Sequence, residues 1–560
     1  MPLPTTNTPW PPPALAVPHA DMDVWRAWYS GNTDHLAAVY GGVANYRNNA
    51  IARRFFEVDQ RRAAGGELRT FWGQDATPGQ EAAKLHVPIA GDIAELSANL
   101  LWSDVPQVTV DGDSTDAALA KSTQAQIGRY LDDRGHAKMR EASEITAGLS
   151  NAYLRVVWDT SLRPRPWTDV IAPEAVVPTW RWGALAEAIV WQELAPLSDE
   201  SKVWRLLEHH TPGAIEYGLY EGGVDNLGMR CDSLAAHPDT EYLAVRTDGQ
   251  GRQSTGIDRL LITHLPNVLP NRIWDGVPNT APLGRSDLAG VEPFMDALDE
   301  TWSSWMRDLR LGKARILLPQ SMLDSDGPGA GGTFNLEQEV RVALNMLDEG
   351  SKDAITMVQF AIRVDEHERT TKALRKQILS SAGYSAQSMG DEGTVAVTAT
   401  EVAARKEESL TTRGTKILYQ RPALLDHLTT MMMVDVRHCG AKGVDPAAEL
   451  TASWPQAVQP DQEATARTLS LLDTAGAISD FMKVKWRSPE LDDEEVEAEV
   501  RRIRDDQRSD AVPSGDPYNA GVDPNVAQDP AGDSTEAGAD EGQDAVDAGV
   551  GGGSRGLAAA

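Results

Sequence analysis

The hydrophobic period of this chain changes twice, and those changes restrict its fold more than any other feature. Up to about residue 147 apolar residues recur three and four apart; then Ala152, Leu154, Val156 and Trp158 alternate with Tyr153, Arg155 and Val157. Similar alternation follows at 175–180, 188–194, 202–208 and 213–220, and 241–247 and 259–268 add more strand. Thr211-Pro212-Gly213 stands between two of these runs as a hairpin turn. From about residue 286 the three-four rhythm returns. Helices followed by strands followed by helices give an α+β chain, not the alternating units of a parallel sheet.

The helical parts read as follows. Asp21 to about Arg62 carries Trp25, Trp28, Leu36, Val39 and Tyr40 at helical spacing; Ile89 to Trp102 presents Ile93, Leu96, Leu100 and Leu101; Ser114 to about Ala147 presents Leu119, Ile127 and Leu131. Ser286-Asp287 is an N-cap pair for a helix through Val291, Phe294, Met295, Leu298, Trp302, Trp305, Met306 and Leu309, with Pro293 marking a kink or the true start. Asp296, Asp299 and Glu300 fall on its wet face. Lys313–Pro319 reads as strand, 325–332 as a loop and 333–361 as a small mixed insertion. Helix resumes from about Asp365 to Ser381; 386–397 is a loop, and Thr398 or Thr400 caps a long helix to about Val436, interrupted at Pro422. Residues 463–485 are helical in two pieces around Gly476, and Ser488-Pro489 opens a last helix, acidic in front and basic behind. From Gln507 onward ten acids, two bases and little that could enter a core predict a disordered tail. The first 18 residues are Pro-rich and predict an extended arm or a disordered start.

With 560 residues the chain exceeds what one core supports and predicts three or four compact units. No apolar run suits a membrane helix and the start has no basic segment leading an apolar one, so neither secretion nor membrane spanning is expected. Cys231 and Cys439 are the only cysteines, which excludes a disulfide framework and a cysteine-based zinc site. A net charge of −31 opposes gripping nucleic acid through its phosphates, yet suits a surface past which DNA slides. Sixteen Trp against seven Phe is unusual.

Motifs for chemistry are missing. Gly327-x-Gly329-x-x-Gly332 has the letters of a dinucleotide loop without the surrounding strand-helix-strand unit, and reads as a flexible loop. Asp111-Gly-Asp113-Ser-Thr-Asp116 lacks the distal Glu of a calcium loop and reads as a turn. His209 and His210 would face opposite sides of a strand. The acids at 490–499 read as a solvated helix face and Met431-Met432-Met433 as core or subunit interface. Neither a phosphate-binding GxxxxGK[ST] loop, nor HExxH, nor GxSxG occurs. No enzyme, cofactor or metal is expected.

Five stretches, in this order and spacing, resemble the portal protein of tailed double-stranded DNA bacteriophages: HVPIAGDIAELSANLLWSDVP (86–106), the segment from Pro282 to Leu323, the segment from Arg369 to Val402, LTASWPQAVQPDQEATARTLSLLDTAGAIS (450–479) and SPELDDEEVEAEVRRI (488–503). The resemblance spans roughly residues 20–505. It implies a portal fold of the siphophage head-to-tail connector type, α+β and ring-forming: an N-terminal arm and helices (1–85), a strand-rich wing (86–285), a first stem helix (286–313), an α/β clip (314–361), a second stem helix (362–384), a tunnel loop (385–398), a long wing helix and wing (399–465), a helical crown (466–506) and the acidic tail (507–560). The clip beyond Leu323 and the tail carry none of the resembling strings.

By that resemblance the chain is a structural protein of the virion, a twelve-fold homo-oligomeric ring at one capsid vertex, assembled in the host cytoplasm. Double-stranded DNA passes through its channel without sequence specificity during packaging and ejection. Its partners are the terminase large subunit, head-completion or adaptor proteins, and the major capsid and scaffold proteins, with no membrane. The channel loop is Ser388, Met389, Gly390, Asp391, Glu392, Gly393 and Thr394; stem packing is carried by Leu298, Trp302, Trp305, Met306 and Leu309. Trp302 and Trp305 serve either packing between subunits or a core within one chain. The competing readings are another head–tail connector or capsid assembly protein, and a packaging enzyme.

Overall fold

The alternating segment becomes strand and the three-four segments become helix in the computed structural model, which describes residues 2–41, 71–73, 84–110, 117–197, 201–311, 315–317, 324–325, 332–333, 356–358, 363–390, 399–455, 462–488 and 493–510. The chain divides into two compact units, Met1–Asp461 and Gln462–Ala560, where its length predicts three or four.

In the first unit, α1 (Ala16–Ser30) and α2 (Thr33–Gly41) replace the single helix expected from Asp21. Gly31 breaks it with a left-handed φ of 63°, and the Asn32 carboxamide then accepts the amides of Asp34 and His35 to start α2. The rest of that expected helix, 42–62, lies outside the described residues. Next come α3 (Ile89–Trp102), β1 (Gln107–Val110), α4 (Ala117–Tyr130) and α5 (Asp133–Leu149). The sequence predicts the last two as one helix; the Asp132 carboxylate caps α5 by accepting the amides of Arg134 and Gly135, which ends α4. The Asp111–Asp116 motif lies outside the described residues.

The strands β2 (Asn151–Val157), β3 (Trp167–Ile171), β4 (Val176–Arg181), β5 (Ala184–Leu194), β6 (Val203–Thr211), β7 (Ala214–Gly223), β8 (Asn226–Arg230), β9 (Arg252–Ser254) and β10 (Ile262–Pro266) make two antiparallel sheets. One has the order β10-β2-β3; the other runs β4-β5-β6-β7-β8 with β9 also on β7. Gly213 turns the β6–β7 hairpin at φ 87°, as its sequence predicts. The run 241–247 is instead one helical turn, Glu241–Ala244, held by buried Thr240 and Leu243; a short apolar run does not decide between strand and helix. Tyr153, Ile171, Val176, Ala188, Val190 and Ile262 join the two sheets in one cluster, and His264 lies in it against Tyr153 and Trp180 at ring distances of 5.2 and 4.9 Å. The Pro-rich start is not a free arm: Leu3, Trp10 and Leu15 pack on the larger sheet with Ile189, Leu207 and Tyr220.

The chain then forms α6 (Glu292–Leu311), strands β11 (Arg315–Leu317), β12 (Asp324–Ser325), β13 (Gly332–Thr333) and β14 (Thr356–Val358), α7 (Val364–Ala382) and α8 (Ala399–Val434). A one-turn π-helix, Asp435–Cys439, and β15 (Leu450–Ser453), antiparallel to β1, complete the unit. α8 runs through Pro422 without the expected interruption. Proline removes one ladder hydrogen bond, but Leu418, whose carbonyl loses its partner, sits on the exposed face, while Lys416, Gln420 and His427 fix the helix from its buried side. Met431 and Met432 are core and Met433 packs against it.

The second unit contains α9 (Gln462–Thr474), α10 (Asp480–Arg487) and α11 (Asp493–Asp510), with Gly476 left-handed between the first two as predicted. Val484, Val496 and Val500 form its core. α11 continues to Asp510, past Gln507 where composition predicts the tail to begin; the residues after 510 lie outside the described ones. No helix among the described residues is long and apolar enough to cross a membrane.

Candidate functional site

The features that set this chain apart are a long helix pair, α6 and α7, and the buried anchorage at its base. α6 starts six residues after Ser286, the residue expected to cap it. Pro293 at its second position supplies a helical φ and lacks only an amide that would have no helical partner. The Glu292 carboxylate accepts the amide of Gly290 and the Trp25 indole N–H, both at 2.7 Å. The pair is antiparallel. Asp308 near the end of α6 meets Arg363 and His367 at the start of α7, each at 3.0 Å. At the other end Met295 and Leu298 share a buried cluster with Ile378 and Leu379. Between the two helices in chain order, β11 pairs antiparallel with β14, Arg315 opposite Val358, and β12 pairs with β13. The hydrogen bonds from His367 and Arg363, which burial opposes more weakly, hold the Asp308 carboxyl below the usual range.

Along the pair, Leu298 is buried and Trp302 packs half-buried on the same cluster. Trp305 stacks on Trp302 at 5.1 Å and, nearly parallel, on His367 of α7 at 5.9 Å. Both tryptophans thus find partners within one chain. Met306 is half-buried and Leu309 exposed. The polar face of α6 is not the wet face its sequence suggests. Asp299 is buried and accepts three hydrogen bonds, from Trp72 Nε1 at 3.0 Å, His86 Nδ1 at 2.8 Å and the Val87 amide at 2.8 Å. Asp296 accepts the amides of Phe71 at 2.7 Å and Trp72 at 3.3 Å, and burial pushes its carboxyl up. Distant chain therefore covers this face, and its carboxylates bind backbone amides, His86 and the Trp72 indole N–H. Trp274 to Asp21, at 2.7 Å, repeats the pattern.

At the base, Asp287 and Lys416 form a buried ion pair, Nζ to Oδ2 2.5 Å, with side-chain exposures of 6% and 2%. Asp287 also accepts from Tyr384 OH and Asn267 Nδ2, each at 2.8 Å, and Lys416 donates to Ser97 Oγ at 2.7 Å. Five segments of chain meet here: α3, Asn267 just past β10, the turn before α6, Tyr384 two residues past α7, and the middle of α8. Burial pushes the Lys416 ammonium down, against the pull of Asp287. Burial and the neighbouring carboxylate both push the Tyr384 phenol up. Ser286 does not cap a helix; its hydroxyl donates to the carbonyls of Ala147 and Gly148, and Asp287 is the acid of the lock.

α7 ends at Gly383 with φ 87°, where an added Cβ would meet Thr412 Oγ1 at 2.7 Å. A 3₁₀ turn, Ala386–Met389, follows. The Ser385 amide donates to Ser409 Oγ at 2.9 Å, Ser388 Oγ bonds the same hydroxyl at 2.8 Å, and Gly390 is left-handed at φ 80°. Of the loop residues singled out by resemblance, Ser388 is tied to α8 through Ser409, Met389 packs on the buried cluster with its carbonyl accepting from Arg375 of α7, and Gly390 donates its amide to the Gln387 carbonyl within the turn; Asp391, Glu392, Gly393 and Thr394 lie outside the described residues. α8 carries an inward row of polar side chains: Ser409, Lys416, Gln420, which accepts from Trp102 Nε1 at 2.8 Å, and His427, 2.8 Å from Thr168 Oγ1. Just past its end, Asp435 accepts from Gln126 and Tyr130. Sequence reading misses this row because hydropathy places such residues outside; their spacing of seven, four and seven is the available signal.

His209 and His210 take separate partners, Glu187 and Glu208, from opposite faces of β6. No group of three or more His, Cys, Asp or Glu among the described residues could hold a metal ion.

Residues 238–512 match a protein family described as phage portal protein, SPP1 Gp6-like. That segment contains the helix pair, its ribbon, the 3₁₀ turn, α8 and most of the second unit. No curated protein matches the chain. Among solved structures it is similar to the neck of an empty GTA particle computed with C6 symmetry, at 17% identity and TM-score 0.35, over 75% of this chain and 95% of that one. A chain from the virion of a native gene transfer agent (GTA) particle is similar at 17% identity and TM-score 0.33, over the same shares. One from the neck of a native GTA particle computed with C12 symmetry follows at 16% identity and TM-score 0.36, again over 75% and 95%.

Proposed function

The chain belongs, over residues 238–512, to the phage portal protein family, and from that premise we propose that it forms a twelve-membered ring at one capsid vertex of a tailed bacteriophage. Double-stranded DNA enters through this ring when the terminase packages the genome and leaves through it on ejection. The terminase large subunit docks first, and head-completion or adaptor proteins replace it. Scaffold and major capsid protein meet the ring during assembly, in the host cytoplasm. Within one subunit, α6 and α7 are the stem, the β11–β14 ribbon belongs to the clip, residues 388–394 are the channel loop, and the second unit is the crown. Leu298, Trp302, Trp305, Met306 and Leu309 pack the stem. The protein works by shape and position, not by catalysis.

The observation that carries this reading is the family match over residues 238–512, a span that holds the helix pair, its ribbon, the turn and the long helix in that order. A helix pair fixed by a buried polar lock is a rigid strut, and such a strut suits a ring that must hold its diameter while DNA moves through it. Electron microscopy of the purified protein tests the reading. End-on views are expected to show a ring with an axial hole wide enough for duplex DNA; a compact particle without a channel would overturn it.

A further inference from the structure

In a chain of net charge −31, the segment 369–390 holds four Lys or Arg and no Asp or Glu. Arg369, Lys372 and Lys376 lie at i, i+3 and i+7 of α7, on one face, and all three are exposed. The opposite face is occupied: His367 stacks on Trp305 of α6, and Leu374, Ile378 and Leu379 join the core cluster. Arg375, off the stripe, donates to the Met389 carbonyl at 3.4 Å and lies beside Asp92. Acids border the stripe at its ends. Asp365 and Glu366 fill the first turn of α7, Glu368 reaches Lys372 at 2.5 Å, and Glu408 of α8 accepts from Ser380 at 3.1 Å. The Lys372 pair is surface-exposed, so it is weak and easily exchanged for another anion.

We propose that this stripe contacts DNA phosphates, giving the proposed channel a local cationic track within an otherwise repelling chain. The inference rests on the portal reading above. From Arg369 to Lys376 the helix rises about 10.5 Å, which spans roughly three phosphates of one strand at about 3.4 Å each. Three flexible cations exchange phosphates without gripping any base, so the interaction is independent of sequence and weakens with salt. A core-facing helix with this composition would pair its cations internally; Arg369 and Lys376 form no ion pair among the described residues.

The test is fluorescence anisotropy of a short labelled duplex titrated with the full-length protein across a salt series. Wild type is expected to bind at low salt. Reversing both charges, R369E with K376E, is expected to weaken binding by about tenfold or more and to lower the salt slope by about 0.9 for each phosphate the variant no longer neutralises. R181E with R272E makes the same charge change at two other exposed arginines and is expected to leave binding near wild type. R369A with K376A, which keeps helix propensity, is expected to fall between. Equal weakening in the stripe and control variants would overturn the proposal, as would stripe variants that bind like wild type. Rings that fall apart on stripe reversal, by light scattering, would make the stripe a contact between copies and overturn it too. If wild type forms no ring, the portal reading fails, while the same titration on the single chain still reads the stripe.

Discussion

Replacing Lys416 by Met, a side chain of similar length and helix propensity, removes the cation of the lock beneath the helix pair. The Asp287 carboxylate keeps Tyr384 OH and Asn267 Nδ2, both at 2.8 Å, but loses the ammonium at 2.5 Å in a site where its side chain is 6% exposed. Breaking a buried pair on one side leaves a charge that neither water nor a partner compensates, and costs about 3–5 kcal/mol. Adding D287N neutralises the orphan while keeping its shape, and is expected to restore about 2 kcal/mol or more through the coupling between the two sites. Hydrogen exchange at Ser385, whose amide donates to Ser409 Oγ at the same junction, reports local opening without requiring a two-state transition of the whole chain. Protection there should fall steeply in K416M and recover in the double variant. A destabilisation under about 1 kcal/mol in K416M, the worth of a surface pair, would refute the lock.

Three further outcomes follow from the geometry. D299A strands the Trp72 indole, His86 and the Val87 amide; it should cost several times the roughly 1–3 kcal/mol of one unsatisfied buried group and speed proteolysis of the segment around Val87. His264, held down at about 3 from 6.5 by burial, stays neutral when folded. The unfolded chain therefore gains its proton first, so stability is full above pH 6.5 and declines through the window from 6.5 to 3. That slope, at most about 1.4 kcal/mol per pH unit, should flatten in H264F, which keeps the ring between Tyr153 and Trp180; denaturation midpoints across that pH range check it. M432A should lower the urea midpoint by an amount equivalent to about 2–5 kcal/mol, since Met432 is fully buried.

Periodicity made the architecture legible. The hairpin at Gly213, the helix Ile89–Trp102 and the break at Gly476 stand where the sequence puts them, because turn chemistry and an apolar face there agree with the tertiary fold. Helix ends are less legible, since Gly31 and Asp132 end helices whose apolar rhythm carries on across the break. The base of the helix pair is the least legible part. Ser286 and Asp287 have the chemistry of a helix cap and are used for a lock whose other members, Ser97, Asn267, Tyr384 and Lys416, are scattered along the chain. Nothing local distinguishes a lysine that will be buried from one that will be solvated. The excess of tryptophan becomes intelligible only in three dimensions, where Trp25, Trp72 and Trp274 each donate to a carboxylate.

A cryo-EM map of the assembled protein, resolved to side chains, tests most directly whether the helix pair is the strut of a DNA-conducting ring. The expected result is a twelve-membered ring in which α6 and α7 run alongside an axial channel, with the turn at 388–390 toward its lumen. A ring without a duplex-sized channel, or one that carries the helix pair on its outer rim, would contradict it.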